Sequence, residues 1–562
     1  MRNLILGSLL WMASPALACG GFFCNVDEPV EQSGEDIFFF MDSEAGTVEA
    51  HIQIEYQGPA EEFAWIVPVS SVPTLGIGTD SLFAILSNSF QARFQLAYDF
   101  DGECKWDRAS LDSGVDLAMS AEGSTAPPSN AGGTYAGVTV VDTAQVGPYE
   151  TVTLLADTST ALLDWLGANG YDLPPSQDPV LQPYVADGQA FVALKLLKDK
   201  DTGDLRPLVM TYEGDRASIP IQLTSVAATP DMRLRVNILG DHRAVPETYR
   251  HLEINPFAVD WWSAGTNYDQ VVTRAADEAG GHGFATDFSG GTDQLSQRFS
   301  SDRWNPDDLA LTTDAVQFLL EVQRQAYPPD QTLLDILLTH IPVPQSLLDQ
   351  GLSPTDVYNC PECYDSELMG VAIDTTAAAA DIDALIVAPR TTLDERFEAG
   401  GQFTRLTSSL SPVDMVIDPI FSLNPDLPTV DSLRTATQTW ECGKKKFNAY
   451  DAPRRFSVDG YPDLRLPSEA WMDDNNTNEH DYILSLHEPS NALVAASYAA
   501  GPNEVLVDNR DLISANIEAF NKEHAQDRRA CGCATATPVS MSLLALPLLL
   551  GLSRRRRPGL DT

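Results

Sequence analysis

The stretch IFFFMDSEAGTVEAHIQIEYQG, residues 37–58, leaves a chain little conformational choice. Apolar and polar side chains alternate along it, and aromatic and β-branched residues dominate. Ser43 to Gly46 is a turn signal. Period-two alternation places one set of side chains on each side of a sheet, so this stretch predicts two strands of a half-buried sheet. EEFAWIVPVSSVP predicts a further strand, ended by prolines that cannot donate a ladder hydrogen bond. AFVALKLLK, RPLVMTY, SIPIQLTSVAA and MRLRVNILG predict four more.

Helical spacing interrupts the strands at TDSLFAILSNSF, behind a Thr79 or Asp80 cap, and at DTSTALLDWLGANGYDLP. The second helix starts at an Asp157 or Thr158 cap. It lines up Leu162, Leu163 and Leu166, and it ends at Gly170 and Pro174. Residues 109–135 are rich in Ser, Gly, Ala and Pro and predict a loop. From about residue 241 the pattern turns helical. NYDQVVTRAADEAGGHGF is a helix broken at Gly280-Gly281, and TTDAVQFLLEVQRQA, QTLLDILLTHI and DTTAAAADIDALIV follow. VDMVIDPIFSLN, HDYILSLH and NEVLVDN then predict short strands. The fold class is α+β: a β-rich antiparallel-sheet N-terminal unit followed by a helical and mixed α/β C-terminal region. The segments are 1–18, 19–240, 241–300, 301–400, 401–530 and 531–562.

The net charge of −45, from 80 acidic and 35 basic residues, argues against nucleic acid and anionic membrane surfaces as partners. MRNLILGSLLWMASPALACGG has the marks of a secretory signal: Arg2, an apolar run from Leu4 to Met12, and an Ala16-Leu17-Ala18 site for signal peptidase before Cys19. In an exported chain the cysteines favour disulfides over metal ligation. Cys19 with Cys24 and Cys360 with Cys363 are local candidates, and Cys104 with Cys442 is the long-range one.

Three clusters hold candidate chemistry. In ADEAGGHGF, Asp277 and Glu278 precede His282 across two glycines, a carboxylate–imidazole set of the kind a general base or metal site uses. The competing reading is a helix C-cap with a surface histidine. WMDDNNTNEHD alternates oxygen donors, either Asp473, Asn475 and Thr477 or Asp474, Asn476 and Asn478. That pattern suits a calcium ion, though the glycine of an EF-hand loop is missing. Lys444 to Lys446 reads as a solvated turn. No phosphate-binding glycine loop, dinucleotide fingerprint or serine elbow is present, so no cofactor is expected.

Taken in order, CGGFFC, PVEQSGEDIFF, IQIEYQGPAEEFAWIVPV, YETVTLLADTSTALLDWLGANGYDLP, YVADGQAFVALKLL, IPIQLTSVAATPDMRLRVNILG, AVPETYRHLEIN and VTRAADEAGGHGFATDFSG resemble the bacterial domain of unknown function 2330. The resemblance covers roughly residues 19–295. It implies an exported envelope protein and no known reaction, so it assigns no catalytic residue. The tail resembles the myxobacterial C-terminal sorting signal, MYXO-CTERM: Cys531-Gly532-Cys533, an apolar run from Val539 to Leu552, then Arg554, Arg555, Arg556 and Arg557. That likeness implies processing at Cys533, or at Cys531, by a myxosortase-like enzyme and display on the cell surface. The apolar run of 14 residues spans about 21 Å as a helix. A hydrocarbon core is about 30 Å thick. Pro547 further weakens the run as a permanent transmembrane helix. The alternative is an inner-membrane anchor with the domain facing the periplasm. Together these features predict a surface-displayed, non-catalytic binding or structural module. The alternative is a secreted hydrolase or metal-dependent enzyme using Asp277, Glu278 and His282.

Overall fold

Strands Glu31–Asp42 and Thr47–Gln57 pair antiparallel, with Ile37 opposite Ile52 and Phe39 opposite Ala50. Both faces of the first strand are buried. Ile37, Phe39 and Met41 join Val48, Ala50 and Ile52 in one core, while Phe38 enters a second with Leu82, Phe83 and Phe397. The run Phe38-Phe39-Phe40 therefore supplies apolar groups to two layers. The computed structural model describes residues 31–57, 64–104, 137–171, 177–197, 205–443 and 449–527. The expectations for Ala18, Cys19, Cys24, the 109–135 segment, Lys444 to Lys446, Cys531, Cys533 and Arg554 to Arg557 fall outside the described residues. Among the described residues no helix is long and apolar enough to cross a membrane.

The fold is α+β around a ten-stranded sheet. Its spatial order is Glu504–Asp508, Asn491–Ala496, Arg250–Ile254, Gly283–Gly291, Gln402–Leu410, Ala228–Gly240, Glu31–Asp42, Thr47–Gln57, Leu208–Glu213 and Thr74–Ile77. Most neighbours are antiparallel. Ala228–Gly240 runs parallel to Glu31–Asp42, and Gly283–Gly291 parallel to Arg250–Ile254. The sheet is thus mixed, and residues 402–508 supply three of its strands.

A four-stranded sheet, Ala64–Val69, Ala190–Leu196, Tyr149–Ala156 and Val138–Val146, lies on one face of the large one. Alternation divides its side chains between two cores. Trp65, Val67, Val192 and Leu194 point to the large sheet, whereas Ile66, Phe191 and Ala193 meet helices Ser159–Ala168 and Asp178–Ala186. Thr158 caps the first of these helices by accepting from the Ala161 amide. Helices between Pro306 and Glu398 close a separate core around Phe318, Leu319, Val357 and Ile382. A second four-stranded sheet, Leu464–Leu466, Arg454–Ser457, Leu433–Gly443 and Arg93–Gly102, faces the turn after Arg250–Ile254.

Two expected strands are helical turns instead. In SIPIQLTSVAA only the two ends pair, Ser218 opposite Ile420 and Ala228 opposite Gln32. Pro220 then turns the chain into the short helix Ile221–Thr224, and the Asp418 carboxylate accepts the Gln222 amide. HDYILSLH becomes the helical turn Glu479–Tyr482 and a 3-10 turn Leu484–Leu486. Asn478 caps the first of these by accepting from the Asp481 amide. In both cases a side-chain acceptor and a local turn override apolar content.

Candidate functional site

Helix Tyr268–Glu278 delivers polar residues at both of its ends. At the C-terminal end the Gly280 amide bonds to the Asp277 carbonyl, and the Gly281 amide to the Ala276 carbonyl. This is a Schellman closure with both glycines left-handed, at φ +76° and +75°. A Cβ on Gly281 would stand 2.3 Å from Cγ of Asp414, so only glycine fits there. The chain then enters strand Gly283–Gly291.

This closure separates the sequence-predicted trio. The Glu278 carboxylate accepts the amides of Ser490, at 2.7 Å, and Asn491, at 3.1 Å. His282 Nε2 lies 2.7 Å from the Asp414 carbonyl, to which it donates, and the ring meets Tyr249 edge-on. Asp277 is exposed. Its pKa is raised by partial burial and by the charges of Asp231, Asp414 and Glu278. Glu278 and His282 hold backbone in different directions.

The oxygen-rich loop is also committed to its own backbone. Asp473 and Asp474 end helix Glu469–Asp474, Asn475 Nδ2 donates to the Trp471 carbonyl, and Asn478 Nδ2 to Asp481. Among the described residues no three His, Cys, Asp or Glu side chains converge on a metal-sized site. Cys104 is bonded to Cys442 across 338 residues, at the end of the parallel pair Arg93–Gly102 and Leu433–Gly443. Cys360 is bonded to Cys363.

A cavity of about 560 Å³ opens at the other end of the same helix. It lies between the large sheet and the second four-stranded sheet. Tyr268, the first helical residue, joins Phe94 and Trp261 to form an aromatic wall, with the Phe94 ring 5.1 Å from Trp261 and 5.2 Å from Tyr268. A Cβ on Gly265 would stand 2.3 Å from the Phe94 ring, and its φ of +77° suits glycine alone. The turn is thereby drawn tightly against that wall.

Arg243, Arg434, His251 and Thr286 line the cavity as well. Arg243 is 4% exposed. Its Nη1 donates to the Pro428 carbonyl at 3.0 Å and its Nη2 to Thr286 Oγ1 at 3.3 Å, while Nε is buried without a partner. Arg434 Nη2 donates to the carbonyls of Thr286 and Asp287. Neither guanidinium has an ion-pair partner among the described residues.

The charge states follow from burial. Burial and the Arg243 charge push His251 down to about 3, so its imidazole is neutral near pH 7. A guanidinium only donates, so the Thr286 hydroxyl accepts from Arg243, and the same oxygen lies 3.4 Å from His251 Nδ1. Burial and the Asp287 carboxylate raise the Tyr268 phenol well above its ordinary value, and its hydroxyl donates to Asp287 at 2.8 Å. Asp287 in turn accepts from Thr407 at 2.6 Å and pairs with Arg405 at 3.3 Å. Glu253, Asp431 and Asp459 complete the polar lining and are exposed.

Sequence reasoning missed Arg243, His251, Thr286 and Arg434. They come from four strands of three sheets, Arg243 from Arg243–Pro246 in a three-stranded sheet, His251 and Thr286 from the large sheet and Arg434 from the second four-stranded sheet, and no local spacing links them. A faint signal exists in DHRAVPETYRHLEIN, where Arg243 and His251 interrupt apolar strand residues.

A family model described as an uncharacterized protein conserved in bacteria (DUF2330) matches residues 13–336, more than half of the chain. No curated protein and no solved structure matches it.

Proposed function

The chain belongs to the DUF2330 family, and from that premise we propose an exported, surface-displayed envelope protein that binds a small molecule without transforming it. The cavity between the two sheets carries the binding part of this reading. Its volume falls in the range of small-molecule sites, and it combines an apolar wall with a few fixed polar groups. Two guanidiniums, a neutral imidazole and a protonated phenol surround it, and burial moves both the imidazole and the phenol away from proton exchange near neutral pH. Such groups orient a ligand.

Export is supported by the signal-like N-terminus and by the disulfides Cys104–Cys442 and Cys360–Cys363, which suit an oxidising compartment. Surface display is supported by the tail from Cys531 to Arg557. Signal peptidase and a myxosortase-like enzyme are the processing partners, with the tail in the membrane at least transiently.

Mass spectrometry of the protein shaved or biotinylated from intact cells tests this. The expected mature chain starts at Cys19 and lacks Arg554 to Arg557. Recovery of the intact termini from the cytoplasmic fraction overturns the reading. Recovery of Arg554 to Arg557 in the inner membrane selects retention over display.

A further inference from the structure

We propose that the cavity takes a small monocarboxylate with a flat apolar body. Its carboxylate would lie at Arg243 and Arg434, and its body against Phe94, Trp261 and Tyr268. This deepens the binding function above and rests on it. The argument starts from the two guanidiniums. In a chain of net charge −45 carboxylates are abundant, and Arg206, Arg233, Arg396, Arg405, Arg454 and Arg510 all hold one. Arg243 and Arg434 hold carbonyls and a hydroxyl instead, although both line a cavity.

A buried guanidinium with no carboxylate bonded to it is costly, and burial lowers the pKa of Arg243 more than the Glu253 charge raises it. An incoming anion recovers that cost. A planar guanidinium matches a carboxylate in shape and hydrogen-bond geometry. Arg434 still has Nε and Nη1 without a partner among the described residues, so it retains donors for the ligand.

Three observations narrow the anion. The exposed carboxylates Glu253, Asp431 and Asp459 lie on the same lining, and their repulsion of a dianion is about twice that of a monoanion. His251 is neutral, so it adds no third cation for a phosphate dianion. The aromatic wall and the neighbouring Leu252, Val430 and Leu433 favour an apolar body over a sugar or a peptide backbone.

Calorimetry on the purified full chain tests this with benzoate, 3-phenylpropanoate, indole-3-acetate and octanoate. The comparison arms are 3-phenylpropanamide, 2-phenylethyl phosphate and inorganic phosphate. At least one carboxylate is expected to saturate a single site. 3-Phenylpropanamide should bind about tenfold or more weakly than its acid, since a lost charge-assisted hydrogen bond is worth at least that factor. Arg434→Met, on a half-buried side chain, and Arg243→Met should each weaken the carboxylate by at least about tenfold. An unchanged urea midpoint would show that each variant is folded.

If the amide binds as well as the acid and Phe94→Ala weakens both, the cavity is a binding site and the carboxylate class is wrong. If 2-phenylethyl phosphate outcompetes the carboxylates, the charge filter at Glu253, Asp431 and Asp459 is wrong. If no compound saturates at millimolar concentration, both the ligand class and the binding function fall.

Discussion

The two ends of helix Tyr268–Glu278 have opposite duties. Its C-terminal end carries the residues that look catalytic in the sequence, Asp277, Glu278 and His282. There Glu278 and His282 hold backbone: Glu278 carries the amides that begin strand Asn491–Ala496, and His282 the Asp414 carbonyl. Its N-terminal end carries Tyr268, which looks like an ordinary amphipathic position and yet faces the cavity. Closeness in sequence brought polar groups together without giving them a common direction. The cavity was assembled from groups as far apart as Phe94 and Asp459.

Perturbation should separate the two ends, and the largest effect belongs to the cavity's frame. Replacing Cys104 and Cys442 together by Ser opens a 338-residue loop that bridges the strand carrying Phe94 to the strand carrying Arg434. By loop entropy the loss is about 6 kcal/mol. Urea unfolding measures it, and a change below about 1 kcal/mol would show that the sheet holds this wall without the bond.

Acid comes next. His251 is pushed down to about 3 when folded, against an ordinary value of 6.5. The unfolded chain therefore takes up a proton first. The stability due to neutral His251 is complete above pH about 6.5 and lost as pH falls toward about 3, on the order of 5 kcal/mol. His251→Asn should flatten that part of a stability–pH profile. An unaltered slope places the acid sensitivity elsewhere, with His487, which burial and the charge of His480 lower to about 4, the next group to replace.

At the helix's other end Glu278→Ala should cost about 2 kcal/mol, because two backbone amides lose a charged acceptor. Its effect on ligand binding should be nil. A variant that keeps its urea midpoint but loses an activity would return Glu278 to the catalytic reading. The smallest effect is expected for Arg243→Met, a shift of less than about 1 kcal/mol in either direction, since a buried charge with no ion pair among the described residues contributes little net stability. A large loss there would make Arg243 structural and undo the contrast with Glu278.

Legibility followed the range of the interaction. The strands at 31–57 were readable because alternation is a local consequence of backbone geometry, and the Thr158-capped helix because a cap and its apolar face lie within ten residues. SIPIQLTSVAA and HDYILSLH misled because apolar content does not report a side-chain acceptor. In the first the acceptor, Asp418, lies almost 200 residues away. The glycine pair at 280–281 was readable as a bend, while its close approach to Asp414 was not. At the candidate site Asp277, Glu278 and His282 were visible only as neighbours, and Arg243, His251 and Arg434 had no shared spacing to reveal them.

By itself, then, the sequence determined the α+β class, the positions of most strands and helices, and the strongly negative net charge. Those depend on periodicity, propensity and composition, which are properties of short stretches or simple sums. Only the tertiary structure decided that Ala228–Gly240 enters beside Glu31–Asp42 in parallel, that residues 402–508 complete the same sheet, and that two guanidiniums with no ion pair among the described residues meet an aromatic wall. Strand order and cavity walls are set by which distant surfaces exclude water together, and that selection leaves no repeating mark along the chain.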